Sequence, residues 1–185
     1  MKYFLNIYKI LSVLIVFTAC SGKEQDKTKT ETKVHDHSDV KEGDTSNTVT
    51  APVLKNNHLN AVYQQYIQLT TALTSNNFVE AKIAANAIEA GAIEINGGNG
   101  IAIASARITA AADIEAQRAA YSTLSKNIEQ LIRKEGLATG KLYVDYCPMA
   151  LDDKGATWIT SNKDIRNPYF GDKMLECGEI QDTIK

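Results

Sequence analysis

Four sulfur-bearing residues near the C-terminus fall into two close pairs. Cys147 and Met149 share the stretch DYCPMALDDKGATWIT, and Met174 and Cys177 share NPYFGDKMLECG. Residues two apart on an extended segment face the same way, so Cys147 and Met149 can point together. Residues three apart on a helical turn share a face, which aligns Met174 with Cys177. Two thiolates and two thioethers form a soft shell, suited to Cu(I) and by extension Ag(I), and poorly suited to magnesium or calcium. Zinc would accept the cysteines but rarely a methionine. The same residues allow two plainer readings. One is a Cys147–Cys177 disulfide, which would add roughly 3–4 kcal/mol in the chain-entropy view. The other is that the methionines only fill gaps in a small core. Spacing alone leaves all three open.

Other chemistry is thin. His35 and His37 form HDH beside Asp36 and Asp39, an auxiliary pair that could hold copper, nickel or zinc weakly; two solvated histidines are the plainer reading. A cysteine nucleophile needs a histidine base within reach, and the remaining histidine, His58, opens the first helical stripe. Asp152, Asp153 and Asp164 sit in polar loops, and no calcium-loop spacing of oxygen ligands is present. No catalytic set emerges, so the expectation is a protein that is not an enzyme and that carries no resident organic cofactor.

The N-terminus bears on where such sulfurs would work. Lys2 and Lys9 precede and flank an apolar run, ILSVLIVFTA, of ten residues from Ile10 to Ala19. Ten residues are too few to span a bilayer as a helix, so residues 1–19 read as an export signal. FTAC resembles a bacterial lipobox, which would make Cys20 the lipidated first residue of the mature chain; an ordinary secretory signal is the alternative. Without residues 1–19 the net charge is −4. No basic stripe is present, which argues against nucleic acid as a partner. Export would place Cys147 and Cys177 in an oxidising compartment. The expected location is the bacterial cell envelope, on the periplasmic or outer-membrane face, with the membrane as partner through the lipid.

The elements that must position the sulfurs begin near residue 53. Residues 20–52 are polar and charged, with few sizeable apolar side chains, and are expected to be a disordered tether. Leu59, Val62, Tyr66, Leu69 and Leu73 step by three and four, which predicts a first helix. Asn77 with Glu80 predicts the start of a second, through Ala81, Ala84, Ala85 and Ile88. NGGNG, from Asn96 to Gly100, predicts a turn rather than a phosphate loop. Ile101, Ala104 and Ile108 predict a third helix. A break near Asp113 opens a fourth through Tyr121, Leu124, Ile128 and Ile132, ending at Gly136. KLYVDY, Lys141 to Tyr146, alternates like a short strand, with Leu142 and Val144 on one face and Tyr143 and Asp145 on the other. The expected fold class is therefore all-α: an antiparallel four-helix bundle over residues 53–185, with an irregular C-terminal tail carrying Trp158, Tyr169 and Phe170 and one short strand.

Three stretches add a resemblance. YCPMALDDKGATWIT, IRNPYFGDKML and CGEI, between Tyr143 and Ile180, resemble the C-terminal signature of domain-of-unknown-function family 3347. DIEAQRAAYSTLSKNIEQLI, from Asp113 to Ile132, is similar to that family's last helix, and Tyr66, Leu69 and Leu73 match its first helix loosely. The resemblance implies a four-helix domain of exported bacterial proteins. It is found as a lipoprotein and also attached to adaptor subunits of heavy-metal efflux pumps, which are the partners it suggests. Its CPM element falls on Cys147, Pro148 and Met149, and its ML-x-CG element on Met174, Leu175, Cys177 and Gly178. These positions inherit a suspected metal role.

Overall fold

The computed structural model describes residues 51–185. The expectations for Cys20, His35, His37, the export signal and most of the tether fall outside them. The described chain is mostly helical, with antiparallel strands. A short strand β1 (Val53–Leu54) leads into α1 (Asn57–Thr74), α2 (Phe78–Ala92), α3 (Asn99–Ala110) and α4 (Ile114–Glu135). Strands β2 (Leu137–Thr139), β3 (Leu142–Cys147), β4 (Ala156–Thr160) and β5 (Glu179–Ile184) follow.

The helices begin where short polar side chains can accept the first orphan N–H groups. Asn56 Oδ1 accepts from the Leu59 N–H at 3.1 Å, and Asn77 Oδ1 from that of Glu80 at 3.1 Å. Asp113 Oδ1 accepts from the Ala116 N–H at 2.8 Å, so the break expected at Asp113 is a true helix start. α4 stops at Gly136, whose φ of 81° suits a residue without Cβ. Consecutive helices pack on one another, with α1 also touching α4. Their buried faces carry the expected stripes: Leu59, Val62, Tyr66, Leu69 and Leu73 on α1, and Tyr121, Leu124, Ile128 and Ile132 on α4.

The tail departs from expectation. The predicted strand at Lys141–Tyr146 is present as β3, but it is the centre of a three-stranded antiparallel sheet in the order β4-β3-β5. Val144 pairs with Ile159 of β4 and with Asp182 of β5. All-α is therefore replaced by a mixed, mainly helical class. β5 escaped detection because EIQDTI has no apolar alternation and is mostly exposed. Its pairing comes from the neighbouring strand rather than from its own pattern. The two faces of β3 also differ from the half-buried expectation: Leu142, Tyr143, Val144 and Asp145 are all buried, so both faces of the strand are covered.

Two polar groups fasten this sheet and tail to the helices. Tyr66 of α1 accepts from the Ile159 backbone N–H at 3.0 Å, meets Ser125 of α4 at 2.7 Å, and accepts from the Tyr121 hydroxyl at 2.8 Å. Arg118 of α4 is 2% exposed. Its Nε donates to Pro168 O at 2.9 Å, and its Nη2 donates to Leu73 O at 3.0 Å and Asn76 Oδ1 at 2.7 Å. Its Nη1 meets Glu115 at 2.9 Å. One guanidinium thus ties the end of α1, the start of α4 and the tail.

Candidate thiol site

Cys147 is the last residue of β3, opposite Ala156 of β4, and is fully buried. Cys177 lies just before β5, in a turn closed by its N–H donating to Met174 O at 3.1 Å. The two sulfurs are 3.2 Å apart, with no bond drawn between them. The metal and disulfide readings both need the two cysteines side by side, and their sulfurs are; the four-sulfur reading also needs Met149 and Met174 beside them.

The return of the chain from β4 to Cys177 depends on Asn167, which is fully buried. Its N–H donates to Leu175 O at 2.8 Å and its side-chain amide donates to Cys177 O at 2.7 Å. Its Oδ1 accepts from the Tyr169 N–H at 2.8 Å. One side chain therefore fixes both limbs of the loop. Gly178 follows Cys177 with a φ of 144°; a Cβ there would lie 2.9 Å from the Trp158 ring and 2.9 Å from Tyr146 O. Glycine is needed so that Trp158 can stand directly against the thiol loop. Trp158 meets Tyr169 edge-on at 6.1 Å, and Tyr169 leans on Tyr121 at 5.6 Å. This chain of rings seats the site on α4.

The methionines are placed differently. Met149 is 46% exposed and lines an open groove of about 550 Å³ with Glu115, Arg118, Asp153 and Phe170. Met174 is half-buried, at the end of a single 3-10 turn, Gly171–Lys173. Among the described residues, no hydrogen bond joins either methionine sulfur to the cysteine pair. Between Met149 and β4, Leu151, Asp152 and Asp153 have φ values of 58°, 56° and 60°. Such a left-handed run is costly for side chains with a Cβ, and it aims both aspartates at solvent. His58 is exposed near the start of α1, whose cap is Asn56.

Electrostatics around the pair are set by burial and by the pair itself. The Cys177 thiol is held above its ordinary range, first by the hydrogen bond to Cys147 and then by burial. Asp145 is the residue that sequence reasoning missed. It lies two positions before Cys147 on the same face of β3 and is fully buried. Neither of its carboxylate oxygens has a partner among the described residues. Desolvation pushes its pKa up to about 7. Alternation put Asp145 on a strand face, but nothing local said that this face would be covered.

Residues 62–140 match the family model described as a protein of unknown function (DUF3347). The match spans less than half of the chain and supports the resemblance that the sequence carries. The match takes in most of α1, all of α2 to α4, and β2, and it ends before β3, so both cysteines lie beyond it. No curated protein and no solved structure matches the chain.

Proposed function

We propose that this chain is an envelope lipoprotein whose C-terminal sheet carries a two-thiol clasp for a soft monovalent ion, Cu(I) or Ag(I), in heavy-metal sequestration or efflux. The observation that carries the reading is the 3.2 Å separation of Cys147 Sγ and Cys177 Sγ, on two segments that independent contacts hold in place. Thiolate–metal bonds are about 2.3 Å, so sulfurs 3.2 Å apart subtend roughly a right angle at one ion. A trigonal angle would need them about 4.0 Å apart. The half-exposed Cys177 turn is the side that can give. Met149 and Met174 are the accessory thioethers of this reading. The finer arrangement of α1 to α4 as an antiparallel bundle belongs to the same proposal, supported by short links and by the packing of consecutive helices.

The 3.2 Å distance also favours a second reading, a structural or interaction lipoprotein stapled by a Cys147–Cys177 disulfide. Closure to about 2.05 Å needs little movement. Thiol counting on the exported protein separates the two. Two reactive thiols that Cu(I) protects, together with competition against a Cu(I) chelator, support the clasp. No free thiol before reduction, and no competition after it, leaves the staple. Met149→Leu and Met174→Leu conserve volume, so each should weaken Cu(I) binding with little change in stability or in zinc binding. Trp158 fluorescence should fall when Cu(I) is added to reduced protein, since its ring stands against Gly178 beside Cys177. The anchor is tested separately: Cys20→Ser should release the protein from membranes, and retention at unchanged mass overturns it.

A further inference from the structure

We propose that α2 is a self-association helix that pairs antiparallel with α2 of a second copy of this chain. This stands independently of the thiol site. α2 buries Ala81, Ala84, Ala85, Ile88 and Ala92 against its neighbours. Its opposite face is apolar as well: Val79, Ile83 and the cap residue Ile93 are 61%, 58% and 69% exposed. A helix that is apolar all round is normally covered on every side. The exposed set Val79, Ile83, Asn86, Ala90, Ile93 steps by four, three, four and three, the spacing of a coiled-coil seam.

The occupant is argued from charge and symmetry. About a two-fold axis near Asn86, an antiparallel copy sets Ile83 against Ala90 and Val79 against Ile93, large against small in the middle and apolar at the ends. The half-buried Lys82 and Glu89 precede Ile83 and Ala90 on one flank. In this arrangement Lys82 meets Glu89 of the second copy, twice by symmetry. A parallel pair would instead set Glu89 beside Glu94 and leave Lys82 facing Ala87. On the other flank of the antiparallel pair Glu80 approaches Glu94, but both are exposed and screened by salt. Asn86 meets its own copy at the axis, where a polar seam residue fixes register and partner number. The seam is one helix long, roughly 22 Å, so association should be modest and concentration-dependent.

The test uses the full chain. Asn86→Cys should give a disulfide-linked dimer in cells on non-reducing gels, while Lys126→Cys, exposed on α4, should give none. In sedimentation at tens of micromolar, the wild-type protein should run as a monomer–dimer mixture. Lys82→Glu should abolish the dimer, and Lys82→Glu with Glu89→Lys should restore it. Lys82 also lies over the Phe78 ring at 4.6 Å, so thermal melts accompany each variant; rescue of the dimer without rescue of the melt identifies the intermolecular contact. A wild-type chain that stays monomeric overturns the proposal. So does a double variant no more dimeric than the single one.

Discussion

The helical region and the C-terminal sheet are held by hydrogen bonds of different reach. The helix starts are closed by side chains three residues away, at Asn56, Asn77 and Asp113. The sheet and its tail are held by groups fifty or more residues away: Arg118 on Pro168, and Tyr66 on Ile159, at separations of 50 and 93 residues. Losing a local contact frays one end of one helix. Losing a distant contact removes the reason for two segments to be together.

The largest effect should come from Arg118. In Arg118→Ala, the Leu73 and Pro168 carbonyls and Asn76 lose their donor in a buried setting. A loss of about 3–5 kcal/mol is expected for breaking such a buried charged network. Arg133 offers the control. It also joins α4 to the tail, through Asp182 at 2.6 Å, but its side chain is 39% exposed. Arg133→Ala should cost less than about 1 kcal/mol. Urea unfolding of both variants checks the contrast, and equal losses would show that burial is not what separates them.

Asp145 should come next, and its effect depends on pH. Its folded pKa is raised to about 7, above its unfolded value of 3.8. Between those values the folded chain holds a proton that the unfolded chain has released. Stability therefore falls as pH rises from about 4 to 7 and levels off above it, a change on the order of 2–4 kcal/mol. Asp145→Asn should flatten this slope and be the more stable protein at pH 8. Melts across that range would find a parallel slope in both proteins if Asp145 were not the cause.

The same division of reach explains what the sequence could reveal. Stripes at three and four, Asn77 with Glu80, and Gly136 are all local patterns, and each marked an element that formed. The meeting of Cys147 and Cys177 was one of three readings that spacing left open, and turn residues, Asn167 and Gly171, are what let the chain return. Gly171 has a φ of 57°, and a Cβ there would lie 2.8 Å from Arg118 Nη2. The partner on Arg118 was not legible, since a lone arginine in IEAQRAAY carries no sign of Pro168. β5 was hidden for the same reason, and so was the covering of Asp145. The positions of Met149 and Met174 depend on how their turns fold, which residue spacing does not encode.

Tyr66→Phe tests the middle of the range. The hydroxyl serves Ser125, Tyr121 and the Ile159 N–H together. Its removal leaves a buried backbone donor of β4 unpaired, for about 1–3 kcal/mol. The loss should appear as faster amide exchange in β4 as well as in global stability. A global change with β4 protection intact would assign the effect to ring packing instead.

The smallest effect belongs to the caps, and it sharpens the contrast from the other side. Asn77→Ala removes the acceptor for Glu80 N–H at the start of α2, and Asp113→Ala removes that for Ala116 N–H at the start of α4. Each should cost about 1 kcal/mol. Asp113 carries a charge at a helix N-terminus, where the dipole favours it, so Asp113→Ala should cost somewhat more than Asp113→Asn. Both caps are exposed, so water can replace the lost acceptor and the damage stays within the first turn. Amide exchange should quicken at residues 78–80 or 114–116 and leave β3, β4 and the thiol loop unchanged. Exchange that spreads to Cys147 or Trp158 would mean that the helix starts and the sheet are coupled more tightly than their separate hydrogen bonds imply.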